Sequence, residues 1–133
     1  SSEMFSQIKP LKEILMDNIN DERYIASYSS KRCSATFLEV ASIFKNDNPS
    51  LSKILIDKSS ELALAAAIVD QRKSVETIEI EDVLNTQNEI TEIRKVLTKI
   101  STKSYAETGS YISAHFEDLK LCREMYPIEE KIF

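Results

Sequence analysis

The stretch TIEIEDVLNTQNEITEIRKVLTKISTK, residues 77–103, decides the fold class. Its apolar residues Ile80, Val83, Leu84, Ile90, Ile93, Leu97 and Ile100 recur at steps that add up to helical turns. A half-buried strand would instead alternate at every second residue. Glu89, Glu92, Lys95, Lys99 and Lys103 fall off that stripe, so the predicted helix keeps one wet side. Thr77 opens it, and Glu79, Glu81 and Asp82 sit favourably against its amino-terminal dipole.

The same period extends in both directions. Asn46-Asp47-Asn48-Pro49-Ser50 is the clearest break, a capping side chain followed by proline at the first helical position. A helix is predicted from there to about Ser74, and its small residues Ala63, Ala65, Ala66 and Ala67 let a neighbouring helix come close. Before the break, Asn20-Asp21-Glu22 caps a helix reaching about Lys45. It carries one stripe of Tyr24, Tyr28, Ala35 and Leu38 and another of Ala26, Cys33, Phe37, Val40 and Phe44. Two apolar sides predict a central position, with a short first helix over Pro10–Ile19 covering one of them. The last helix stops at Pro127 and has two candidate starts. One is the capping box Ser104-Tyr105-Ala106-Glu107; the other is a joint at Gly109.

Composition agrees with helices throughout. The 133 residues include one glycine and three prolines, where average usage is about 7% glycine. Primed hairpin turns and dinucleotide-binding loops both need glycine, so all-β and Rossmann-type folds are excluded. At 42% apolar and 29% charged, the chain has the balance of a globular domain rather than a disordered one. No internal repeat or linker divides it. The expectation is a single all-α domain over residues 1–133, an up-and-down four-helix bundle with a short additional amino-terminal helix.

One local segment, Glu61 through Arg72 and Ile78 to Asp82-Val83-Leu84, resembles the end of the central helix, second loop and third-helix start of the histone fold. The resemblance implies pairing of two chains through that central helix. The helix from Thr77 runs well past the length of a histone third helix, and Arg72 and Lys73 alone echo the family's basic surface.

The charge pattern narrows function. Twenty-two acidic and 17 basic side chains give a net charge of −5. The basic residues are scattered, with no run longer than Lys31-Arg32 or Arg72-Lys73. Neither nucleic acid nor an anionic membrane surface is attracted by such a field. The longest apolar run, Leu62 to Val69, falls far short of the roughly 20 residues of a spanning helix.

Chemistry-bearing residues are few. The single histidine, His115, falls on the stripe Ile112, Phe116, Leu119, Cys122 and Tyr126 and reads as a hydrogen-bonded core residue, with a buried ligand or base as the sharper alternative. Bundle metal sites use Glu-x-x-His pairs, and Ile112 occupies the glutamate position, so no metal is expected. Covalent haem needs C-x-x-C-H, which does not occur. Met4 or Met16 with His115 matches the ligands of a haem-binding four-helix cytochrome in outline only, and no cofactor is expected. Glu117-Asp118 and Glu129-Glu130 are sequence neighbours and read as solvated surface charges, and the five tyrosines as rim residues.

The two cysteines, Cys33 and Cys122, both lie on apolar stripes of helices expected to be antiparallel neighbours. Cys33 lies roughly 18 Å along its helix, and Cys122 roughly 20 Å along its own if that helix begins near Gly109. A start at Ser104 gives roughly 27 Å and separates them by nearly two turns. The nearer match predicts an intramolecular disulfide, with two buried thiols as the alternative. A bridge, together with a chain opening on Ser1 ahead of its first methionine Met4, predicts signal-peptide removal and a periplasmic or secreted protein; a cytoplasmic protein is the alternative. The expected role is binding or assembly with a protein or small-molecule partner, and the alternative is a bundle-type cofactor carrier or enzyme using His115.

Overall fold

A computed structural model describes residues 8–128; Met4, Glu129 and Glu130 lie outside the described residues. The chain forms an all-α helical bundle. In order it contains α1 (Leu11–Asp17), α2 (Glu22–Phe44), α3 (Pro49–Gln71), α4 (Ile80–Thr108), a single 3-10 turn over Ser113–His115, and α5 (Phe116–Met125). No strand occurs among the described residues.

Side chains set most of the helix ends. Asp21 accepts from the Tyr24 N–H at 3.0 Å to start α2, and Asn48 accepts from the Leu51 N–H at 3.2 Å, with Pro49 in the first turn of α3. Three boundaries differ from the sequence expectation. α3 stops at Gln71 rather than Ser74, because Arg72 turns left-handed at φ 54°. α4 starts at Ile80 rather than Thr77, whose hydroxyl accepts from the Ser74 N–H at 2.9 Å and folds the loop. The start is fixed instead by Asp82, which accepts from the Glu79 N–H at 3.1 Å.

The third difference concerns the last helix. Ser104 does not cap anything: it is buried inside α4 and donates to the Ser110 carbonyl at 2.7 Å, drawing the following joint back onto the helix. α4 ends at Gly109, where φ of +77° is a conformation glycine adopts without strain. Gly109 is therefore the joint, and α5 begins only at Phe116, after the 3-10 turn.

The α2 helix is central, buried around most of its circumference between Ser27 and Ala41. Against α3 the contact is made by small residues. The Ser34 and Ser59 hydroxyls lie 2.7 Å apart, Ser52 donates to the Ala41 carbonyl at 2.9 Å, and Ala63, Ala66 and Ala67 are buried nearby. Lys31 ties α2 to α3 and α4 together, its Nζ 2.6 Å from Asp70 and 2.6 Å from Glu89. Contacts with α5 run the opposite way along α2: Ser29 meets Tyr126, while Arg32 meets Asp118.

Two apolar clusters form the core. One gathers Leu11, Phe37, Val40, Leu55 and Leu119 around Cys33 and Cys122, and the other gathers Ala35, Ala63, Ile90, Leu97 and Ile100. Truncating a fully buried residue such as Leu55 to alanine should cost about 2–5 kcal/mol. The stripe of α4 is only partly core. Ile80 and Leu84 are 80% and 53% exposed, because they stand at the loop end of the helix, where it emerges from the bundle. Tyrosines sit at the rim in two stacked pairs, Tyr24 on Tyr28 and Tyr105 on Tyr111.

Candidate functional site

Cys33, Cys122 and His115 lie on or beside the seam between α2 and α5. Cys33 and Cys122 are joined there, 89 residues apart in sequence and 5.4 Å apart between Cα atoms. That separation is the ordinary one for a bridge. The linkage holds α5, a helix of 10 residues, against the middle of α2. A helix so short gains little stability on its own and needs such packing.

His115 closes the 3-10 turn just ahead of α5 and is buried. Its Nε2 lies 2.6 Å from the Ser101 hydroxyl, which in turn lies 2.7 Å from Glu39 Oε2. A carboxylate can only accept, so Ser101 donates to Glu39 and receives the Nε2–H of His115. Glu39 Oε1 also accepts from Thr98 Oγ1 at 2.6 Å and from Arg94 Nε at 3.4 Å, which explains how a carboxylate buried in α2 is tolerated. Burial pushes the His115 pKa below the ordinary histidine value, and Arg32 adds to that push while Glu39 and Asp118 oppose it. That shift favours the neutral ring.

One turn further along the chain, Asp118 meets Arg32. Both Nε and Nη2 of Arg32 donate to Asp118 Oδ2, at 3.1 and 2.6 Å. Nη2 also donates to the Lys9 carbonyl at 2.8 Å, and Nη1 to the Tyr28 hydroxyl at 3.1 Å. Asp118 Oδ1 accepts from the Leu11 N–H at 3.0 Å, satisfying an otherwise open donor in the first turn of α1. Arg32 is 2% exposed, so this pair stitches α1, α2 and α5 together inside the protein. Asp118 is therefore not the solvated charge its neighbour Glu117 is: Glu117 is exposed and Asp118 buried. Met16 is exposed on α1, away from the buried ring of His115.

Two cavities flank the segment from Ile112 to Leu119. One, of about 270 Å³, is mixed in character, bordered by Arg32, Ser113, His115, Glu117 and Asp118 and equally by Ile8, Pro10, Leu97, Ile100 and Ala114. The other, of about 410 Å³, is walled by Val40, Phe44, Leu51, Ile112, Phe116 and Leu119, with Lys120 and Arg123 at its edge. Phe116, expected on the buried stripe, is 56% exposed beside this second cavity.

The structure thus brings the cysteines together and places His115 two turns before Cys122, as part of a larger polar network. Arg32, Glu39, Ser101 and Asp118 escaped the sequence reading, which treated charged residues as surface. A signal did exist: Arg32 precedes Cys33, and Asp118 lies one helical turn before Cys122, so pairing the cysteines brings the two charges into reach. Among the described residues, no group of three or more histidine, cysteine or acidic side chains could hold a metal ion. No helix among them is long and apolar enough to cross a membrane. Comparison of the chain with known protein families, curated proteins and solved structures finds no match.

Proposed function

We propose that this chain is an exported helical-bundle protein, periplasmic or secreted, that acts by binding or assembly and catalyses nothing itself. The observation that carries the proposal is the Cys33–Cys122 linkage across the α2–α5 seam. Linkages of this kind persist in oxidising compartments and are rare where thiols are kept reduced. The state of the polar seam supports binding over catalysis. A serine nucleophile needs a histidine that removes its proton and a carboxylate that orients the histidine. Here the serine stands between the two, so its proton points at Glu39 and the histidine donates rather than accepts.

Thiol titration tests the compartment. Protein purified from an oxidising compartment, denatured without reductant, should show no titratable thiol, and two thiols per chain would remove the argument for export. One observation favours a cofactor carrier or enzyme instead: His115, Arg32 and Asp118 border a cavity large enough for a small molecule. The visible absorption spectrum and metal content of the purified protein separate the readings. Colourless, metal-free protein is expected, and colour or stoichiometric metal would shift the conclusion to a carrier.

A further inference from the structure

The connection between α3 and α4, residues 72–79, differs from every other join between the described helices. It is the longest, at eight residues, and opens on the adjacent pair Arg72-Lys73. The α2–α3 join has four residues and the single cation Lys45. The α1–α2 and α4–α5 joins contain no lysine or arginine. Ahead of α1, Lys9 is followed by Pro10, whose ring and missing N–H make that bond a poor substrate for an endopeptidase. Every other lysine or arginine among the described residues lies within a helix. An endopeptidase takes its substrate extended, so those sites are closed until a helix opens.

Every residue from Gln71 to Ile80 is exposed except Lys73 and Ile78, which are half-buried. The Arg72 guanidinium has no hydrogen bond or ion pair among the described residues. Lys73 is held at the surface, its Nζ 2.8 Å from Asp82. Arg72 is the one residue other than glycine at positive φ among the described residues, a conformation its Cβ disfavours. The turn after it holds itself, the Ser74 carbonyl accepting from the Thr77 and Ile78 N–H groups at 3.1 and 2.9 Å. Opening it relieves strain at Arg72 and breaks local bonds, while the core stays closed.

Both flanks of the loop are anchored. Arg23 donates to the Asp70 carbonyl at 2.9 Å, and Lys31 reaches Asp70 and Glu89 at 2.6 Å each. Cys33 precedes the loop and Cys122 follows it, so their linkage joins what a cut in the loop would separate. We infer that the Arg72-Lys73 pair is a processing site for an endopeptidase with an acidic specificity pocket, and that cleavage yields a folded two-chain protein. Water adds across one amide bond: its hydroxyl goes to the carbonyl carbon of Arg72 or Lys73, its hydrogen to the following nitrogen. One chain then carries α1 to α3 and the other α4 and α5. Their cohesion rests on the same linkage from which the exported role is proposed.

Limited digestion of the oxidised full chain with trypsin, followed on gels with and without reductant and by mass spectrometry, tests this. An early product is expected that runs as one band without reductant and as two with it. Its new ends should lie after residue 72 or 73, and it should keep the parent's helical circular dichroism. It should form at least about tenfold faster than any second cut within residues 8–128, since helical sites wait on larger openings. Arg72→Gln/Lys73→Gln should slow the first cut by about tenfold or more, whereas Lys45→Gln should digest like the parent. Arg72 is exposed and Lys73 pairs at the surface, so the double variant should keep the parent's circular dichroism. A first cut elsewhere within residues 8–128 overturns the proposal, as does an unchanged rate in the double variant. So does loss of the helical signal on cleavage. Pieces that meet after residue 72 or 73 but separate without reductant overturn the two-chain form and remove the exported role with it. A first cut elsewhere in a chain whose cysteines prove bridged removes the processing site alone.

Discussion

The segment from Ile112 to Cys122 faces two unlike surroundings. On one side, Arg32, Asp118, His115, Ser101 and Glu39 satisfy one another, and no buried side-chain nitrogen or oxygen among the described residues lacks a partner. On the other side, Phe44, Leu51 and Phe116 border a space that the protein does not fill. The closed polar side behaves as structure, because each member depends on another and none can be removed cheaply. The incomplete apolar side costs the fold little and is free to receive something else. Stability and binding should therefore separate across this one segment.

Both sides rest on the seam, so the largest effect should come from opening it. Replacing Cys33 and Cys122 by serine releases a loop of 89 residues. On the chain-entropy model this costs roughly 4–5 kcal/mol, an upper figure where strain intervenes. Urea denaturation of oxidised and reduced protein should show the same difference. A loss below about 1 kcal/mol would mean that packing alone holds α5 in place.

Breaking the polar side comes next. Arg32→Met leaves the Asp118 carboxylate buried with only the Leu11 N–H as donor. Removing one partner of a buried pair costs about 3–5 kcal/mol, whereas replacing both with apolar residues is often close to neutral. The double variant Arg32→Met/Asp118→Leu should therefore recover most of the loss in the same denaturation assay. A single variant as stable as the parent would show that water reaches Asp118.

How these features read in the sequence follows from the range of the interactions. Asp21, Asn48-Pro49 and Gly109 act on neighbouring residues, so their local patterns mark the helix ends. The two apolar sides of α2 foretold its central position. Ser104 misled because a serine followed by glutamate three residues later occurs inside helices as well as at their starts; only the left-handed turn at Gly109 distinguishes the two cases. Ile80 and Leu84 carry the helical period yet remain exposed, since periodicity tells which face is apolar but not where the neighbouring helix ends. Arg32 and Asp118 meet across 86 positions, beyond the reach of any local pattern. Once the cysteines are paired, the second contact follows from the first.

Smaller effects sharpen the contrast. Ser101→Ala deprives Glu39 of a donor and His115 of its acceptor, at a cost of about 1–3 kcal/mol. His115 itself should give the protein a pH dependence. Its folded pKa is held below the unfolded value, so the unfolded chain binds the proton more readily as pH falls. The stability it supports is present above the unfolded histidine value of about 6.5 and is lost as pH drops towards the lowered folded value. Burial is the main source of this loss; Glu39 and Asp118 oppose it and Arg32 adds to it. His115→Gln should flatten the stability profile below about pH 6.5. An unchanged slope would assign the acid sensitivity to other groups.

The smallest effect on stability should come from Phe116→Ala, and it bears most directly on the apolar side. Large-to-small changes of fully buried aromatics cost about 3–5 kcal/mol, but Phe116 is 56% exposed and lines a space rather than filling one. Its removal should shift the urea midpoint by no more than about 0.5 kcal/mol, the range of ordinary surface substitutions. Leu119→Ala, one turn away and only 8% exposed, should cost about 2–5 kcal/mol. The two residues are neighbours on α5 and line the same groove, so the ratio of their effects measures where the core ends. If Phe116→Ala approached the cost of Leu119→Ala, the ring would belong to the core and the groove would be a packing gap. If the small cost holds, Phe116 is an exposed ring kept at no structural need, as a binding surface requires.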